Sequence, residues 1–247
     1  MPKKWVTPEG EYFNHIEHMT QQTHLLIAGC SGSGKSVLIN TLIHTLLLKS
    51  PATVKMILID PKRVELSEYK KLPHCIGYAS NPEGIISLLN NAVVEMERRY
   101  KAMNRKGLRK TEETHIYIIF DEFGDLMTTS KKQVEPLIIR LAQLGRAAKI
   151  HLILATQNPS RQTITAGIKV NITASVALRC REPIESRMIL GCKGAELLPQ
   201  YGQGFYITPD HTTPQLIPIP LTTDKAIKER VQWWTRQNKS IFNLFAR

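Results

Sequence analysis

Uninterrupted apolar blocks alternate along the chain with stretches in which apolar positions return every three or four residues. "HLLIAG" (24–29), "VKMILID" (54–60), "HIYIIFDE" (115–122) and "IHLILATQ" (150–157) have little polar surface to offer water, so each reads as a strand buried on both sides. Between them, "GKSVLINTLIHTLLLKS" (34–50), "EGIISLLNNAVVEMERRYKAM" (83–103) and "KKQVEPLIIRLAQLGRAAK" (131–149) carry apolar residues at helical spacing. The second of these helices turns polar and basic in its latter half and runs into "NRKG", where a glycine cap closes it. "NITASVALRC" (171–180) supplies a fifth strand. Strands apolar on both faces and separated by helices predict the α/β class, a mostly parallel sheet flanked by helices. Beyond residue 200 the rhythm changes to two short proline-bounded strands, "GQGFYITP" and "PQLIPIPL", and a terminal helix starting "DKAIKERVQWW". With no internal repeat, low-complexity tract or linker, the expected organisation is an N-terminal arm (1–22), one α/β domain (23–221) and a C-terminal basic helix and tail (222–247).

The turn after the first strand carries the chemistry. Gly29, Cys30, Ser31, Gly32, Ser33, Gly34, Lys35 and Ser36 satisfy G-x-x-x-x-G-K-[ST], and Val37 continues into the helix. The glycines let backbone N–H groups curl around phosphate at the positive end of that helix. Lys35 brings a point charge to the β/γ-phosphates of ATP, and the Ser36 hydroxyl is placed to ligate Mg²⁺. "IYIIFDEFGD" ends a strand on Asp121 and Glu122, at the edge where α/β sheets bind ligands. Asp121 is placed to hold Mg²⁺ through water, and Glu122 to polarise a water for attack on the γ-phosphate. A small-molecule kinase or a GTPase has no need of that second carboxylate, and no N-K-x-D guanine-reading motif occurs. Hydrolysis of ATP by water follows. "LATQN" presents Thr156 and Gln157 beside the expected γ-phosphate, and the preceding helix carries Arg140 and Arg146, either of which could be offered to a neighbouring subunit as an arginine finger.

Charge narrows the partner. Against 21 Asp+Glu the 247 residues carry 33 Lys+Arg, a formal charge of +12 and a pI near 9.6, which favours polyanions, nucleic acid or acidic lipid. No apolar run is long enough for a signal peptide or a bilayer span. Direct membrane insertion is therefore not expected, and any work at a membrane would require another chain. Cys30, Cys75, Cys180 and Cys192 form no C-x-x-C pair, which argues against a disulfide framework or zinc site and for a reducing cytoplasm.

Taken together, "HLLIAGCSGSGKSVLIN", "ILIDPKRVELSEYKKLPH", "VEMERRYKAM", "FDEFGDLM", "RLAQLGRAAKIHLILATQNPS" and "ITAGIKVNITASVALR" resemble successive blocks of the FtsK/SpoIIIE family of DNA translocases, in family order. "DPKxxEL" and "EMERRY" are the most discriminating, because generic P-loop proteins lack them. The resemblance implies a RecA-like P-loop core that assembles as a homo-hexameric ring around double-stranded DNA. It puts Lys35 and Ser36 on Walker A, Asp121 and Glu122 on Walker B, Arg146 on the trans-acting finger and Gln157 on a sensor position. It also implies pore loops after Gln157 and around "TITAGIKVN", where Lys169 matches a basic position. Asn158 stands where the family has an arginine, leaving Arg161 and Arg187 as further candidates for DNA phosphates. The cargo by analogy is a plasmid, conjugative element or phage genome, with a relaxase, replication protein or packaging protein as partner. A genome-packaging ATPase and a nucleotide-switched adaptor that does not translocate are the alternative functions.

Overall fold

The computed structural model describes the backbone of Trp5–Val6, Tyr12–Phe13 and residues 15–245, and the side chains of residues 15–237. The remainder of the expected N-terminal arm and the end of the tail lie outside the described residues. In chain order, β1 (Trp5–Val6) and β2 (Tyr12–Phe13) form an antiparallel pair and α1 (His15–Gln21) follows. The P-loop unit is β3 (His24–Ala28) and α2 (Lys35–Leu46), then come β4 (Val54–Ile59), β5 (Cys75–Ala79) and α3 (Pro82–Lys106). Next are β6 (His115–Phe120), α4 (Phe123–Thr129), α5 (Lys131–Ala148), β7 (Ile150–Thr156), α6 (Ala166–Asn171) and β8 (Ala174–Ala177). The chain continues through α7 (Pro183–Leu190), β9 (Gln203–Ile207), β10 (Gln215–Pro218) and α8 (Asp224–Phe245).

Eight strands form one sheet in the order β10-β9-β8-β3-β7-β6-β4-β5. The pairings from β5 to β8 are all parallel; β9 and β10 extend the edge antiparallel. The fold is therefore the predicted mixed α/β sheet, mostly parallel and flanked by helices. Alternation along each strand divides the apolar residues between two cores. Leu26, Ile57, Ile118, Phe120, Leu152 and Leu154 face α3 and α5, where Leu89, Met96, Ile138 and Leu141 cover them. Leu25, Ile27, Met56, Leu58, Ile119 and Ile153 face α2 and α8, together with Leu38, Leu42 and Ile227. Such two-sided burial is why these strands contain so few polar residues.

Several elements depart from the periodicity reading. The stretch 15–21, expected within an arm, is helical and sends Ile16 and Met19 into the core. β5 has the sequence "CIGYA", only partly buried, with Ile76 exposed; an edge strand leaves no continuous apolar signature. "NITASVALRC" is divided, since Asn171 ends α6 and the strand is confined to Ala174–Ala177. The glycine cap after "NRK" stands as expected: Gly107 adopts φ 65°, closing α3. The C-terminal helix is packed on the domain, with Trp234 Nε1 donating to Leu47 O at 2.9 Å at the end of α2.

Candidate nucleotide site and its surroundings

Parallel pairing aligns Ala28 of β3 with Thr156 of β7, and Ile59 of β4 with Phe120 of β6, so the carboxyl ends of four strands converge. The P-loop leaves β3 as a tight coil. A Cβ on Gly29 would stand 2.5 Å from Ser33 Oγ and 2.7 Å from Leu178 Cβ, so only glycine fits there. Gly32 and Gly34 have φ of 75° and 91°, conformations other residues adopt only with strain. Gly34 is the N-cap of α2 and offers no side-chain acceptor to the first turn. The N–H groups that open a helix have no acceptor within it, and the hydroxyl of buried Ser33 makes no hydrogen bond among the described residues. Uncommitted donors, a helix dipole and a positive-φ coil fit an anionic oligophosphate.

Lys35 and Asp121 are both buried, 4% and 1% exposed, and their side chains pair at 2.9 Å. Lys35 Nζ also donates to the Asp121 carbonyl. Ser36, half-buried in the first turn of α2, directly follows Lys35. The hydroxyl of Ser36 and the carboxylate of Asp121 are hard oxygen donors of the kind Mg²⁺ takes. Glu122, 3% exposed, caps α4 and accepts from Gly124 N–H at 3.2 Å. Its two oxygens also accept from the Gln157 N–H at 3.3 and 3.1 Å. Lys62 stands 3.7 Å from Glu122 Oε2. Two strand ends and a helix start thus fix the orientation of one carboxylate. Gly124 is required for this closeness, because a Cβ there would meet Thr156 Oγ1 at 2.9 Å and Glu122 Oε1 at 3.1 Å. A polar cleft of about 340 Å³ opens beside these groups, lined by Lys62, Glu122, Asp125, Gln157, Asn158 and Arg181 among others.

The expected site residues fall into three places. Gly29, Cys30, Ser31, Gly32, Ser33, Gly34, Lys35, Ser36 and Val37 form the coil and the start of α2, and Asp121, Glu122 and Gln157 gather around it. Arg146 does not join them. It is exposed on the last turn of α5, at the amino end of β7, whereas Gln157 follows the carboxyl end. The seven residues of β7 separate the two, roughly 20 Å at about 3.3 Å per residue. Arg140 is paired with Glu97 at 2.7 Å. The DNA candidates lie on the outer elements: Arg161 is exposed in the loop after β7, and Arg187 is exposed on α7. Lys169 of α6 donates to the Met188 carbonyl at 2.7 Å, which fixes α6 to the end of α7.

Sequence reasoning gave no role to Lys62, Asp60 or Gly124. Asp60, fully buried, accepts from Leu66 N–H at 3.0 Å and Val64 N–H at 3.4 Å, folding "DPKRVEL" into a turn that directs Lys62 toward Glu122. The signal was present as a discriminating block, but a carboxylate closing its own loop cannot be told from a ligand by spacing.

The model of the FtsK/SpoIIIE family matches residues 1–118 and 110–161. A DNA translocase FtsK from Caldanaerobacter subterraneus is 48% identical over 195 residues, covering 74% of this chain and 28% of its own length. That from Listeria monocytogenes is 37% identical over 249 residues, 92% of this chain and 33% of the relative. The chain thus spans about a third or less of the curated relatives it matches. Among solved structures, the pCW3 conjugation coupling protein TcpA, in a monomer form with ATPγS, superposes with a TM-score of 0.76. It is 22% identical and covers 87% of this chain and 66% of its own, which is a likeness of fold.

Proposed function

The chain belongs to the FtsK/SpoIIIE family, and on that premise we propose that it is an ATP-driven translocase of double-stranded DNA, working as a homo-hexameric ring. One observation carries the proposal: Glu122 is held by the N–H groups of Gly124 and Gln157 beside the Lys35–Asp121 pair, at the mouth of an uncapped P-loop helix. That arrangement suits hydrolysis by water. Backbone N–H groups of the coil and Lys35 bind and orient the phosphates, and Glu122 takes up the proton of the attacking water, or orients it. Gln157, bonded through its N–H to the same carboxylate, links that event to the loop leading to Arg161. Ser36 and Asp121 would hold Mg²⁺, which neutralises charge on the phosphate oxygens.

Arg146 lies too far from its own chain's P-loop to serve it. As an arginine finger it completes the site of the adjacent protomer, which makes hydrolysis a property of the ring. The positive surface, with Arg161, Lys169 and Arg187 on outer elements, suits duplex phosphates. The names of the relatives, DNA translocase FtsK, point the same way. The cargo on this view is a plasmid, conjugative element or phage genome, and a relaxase or capsid gene beside its own is the expected genomic finding. The deciding experiment is steady-state ATPase activity with and without long duplex DNA. Strong stimulation, lost in Glu122→Gln while nucleotide binding persists, is expected. Hydrolysis indifferent to DNA would refute the motor and favour a nucleotide-switched adaptor.

A further inference from the structure

The "EMERRY" block has no part in the nucleotide site, yet it contains an almost fully buried charge: Arg99 of α3 is 3% exposed. Its guanidinium Nη1 donates to Ala148 O at 2.7 Å and Thr114 O at 2.8 Å, and its Nε donates to Glu95 Oε1 at 2.7 Å. The next residue, Tyr100, donates its hydroxyl to Leu144 O at 2.9 Å. Leu144 and Ala148 bracket Arg146 on the last turn of α5.

A helix normally ends with four carbonyls lacking intrahelical partners, and such ends fray. Here each carbonyl from Leu144 to Lys149 accepts a hydrogen bond. Tyr100 serves Leu144, and the Lys149 N–H reaches Gly145 and Arg146. Thr111 N–H serves Ala147, Arg99 serves Ala148, and Ile116 N–H serves Lys149. The far side of the turn is equally constrained, since a Cβ on Gly145 would stand 2.4 Å from Ile150 O and 3.0 Å from His24 Cε1. Arg99 is itself fixed by Glu95, whose carboxyl is held down to about 2, first by Arg98 and also by Arg99. A cation at a helix C-terminus also opposes the negative end of the dipole. The turn is thus held at every carbonyl, with Gly145 and Ala148 buried against the domain, and the residue it projects into solvent is Arg146.

We propose that Glu95, Arg99 and Tyr100 form a positioning clamp that aims Arg146 at the triphosphate of a neighbouring protomer. The proposal rests on the reading of Arg146 as a finger acting in trans. The clamp residues act through Arg146, and their loss leaves the P-loop of their own chain untouched. A displacement of about 1 Å in a catalytic group can cost as much as a hundredfold in rate. Arg99→Lys, which keeps the charge but cannot span both carbonyls and Glu95, is therefore expected to lower DNA-stimulated kcat by up to about a hundredfold, and Tyr100→Phe by less. KM for ATP should stay within twofold.

The test is subunit mixing with the full chain on duplex DNA. Arg99→Lys or Tyr100→Phe subunits have a sound P-loop and a misaimed finger; Glu122→Gln subunits have the reverse. Equal mixtures should hydrolyse ATP faster than the sum of the two separately, because an interface pairing the good site with the good finger is restored. Mixtures with Arg146→Ala subunits should show no such gain. Clamp variants with full kcat, or complemented by neither partner, would overturn the clamp. If Arg146→Ala itself keeps full DNA-stimulated activity, the finger reading fails first and the clamp with it. Tyr100→Phe, a loss of one hydroxyl, keeps the test open should Arg99→Lys fail to fold.

Discussion

Replacing Lys35 with alanine is the obvious way to silence a P-loop, and the structure indicates that it does more than that. Lys35 and Asp121 pair at 2.9 Å with side chains 4% and 2% exposed, and the ammonium also serves the Asp121 carbonyl. Removing the lysine strands a buried carboxylate, a change that ordinarily costs about 3–5 kcal/mol. For a chain of this size that corresponds to a fall in melting temperature of roughly 6–20 °C. The measurement is urea denaturation followed by circular dichroism, without nucleotide or divalent cation, since ligands that bind only the folded state would mask the loss. Lys35→Met combined with Asp121→Leu should recover most of the stability, because an apolar pair of similar volume has no charge to desolvate. If Lys35→Ala unfolds within about 0.5 kcal/mol of the parent chain, an ordinary surface value, the pair is not formed as described. Inactivity of that variant then reports only on phosphate binding. Glu122→Gln is the cleaner inactive variant, since its amide oxygen still accepts from Gly124 and Gln157.

Gly145→Ala should destabilise by about 1–3 kcal/mol through overpacking, seen as a lower thermal midpoint, because its methyl would meet the Ile150 carbonyl; an unchanged midpoint would mean that the α5 turn yields. Burial lowers His24 to about 4 and His151 to about 3, with His115 hydrogen-bonded to His151 at 2.9 Å. In the unfolded chain both rings protonate near 6.5, so between about 6.5 and 4 the unfolded state binds more protons. Stability is therefore full above that window and is lost as pH falls, with a slope of at least two protons, because burial lowers His115 to about 4 as well; a flat profile from pH 7 to 4 would contradict the buried neutral rings. Duplex binding should weaken with salt, and Arg161→Ala and Arg187→Ala should each reduce the log–log slope by about one if they meet phosphates.

The parallel core and the P-loop were legible because each depends on a local pattern: unbroken apolar runs for β3, β4, β6 and β7, and fixed glycine spacing for the coil. What escaped depends on long-range company. β5 is a strand because β4 lies beside it, and its glycine accommodates Leu88, whose Cδ2 would be 2.8 Å from a Cβ at Gly77. Lys62 reaches Glu122 only once Asp60 has folded the loop, and Arg99 reads as an ordinary basic residue until Thr114 and Ala148 are brought to it. Arg146 and Gln157 were both named from motifs on either side of one predicted strand, but that this strand lies in the middle of the sheet, between β3 and β6, emerges only from the fold.

That placement gives β7 a mechanical meaning. Every residue of the strand is buried, and it is hydrogen-bonded to β3 on one side and β6 on the other, so it cannot bend without disturbing the centre of the sheet. One tip adjoins Gln157 and, through it, Glu122; the other adjoins the turn of α5 that carries Arg146, the proposed finger. In the proposed ring, a beam this stiff would tie the nucleotide end of one protomer to the finger end that faces the next.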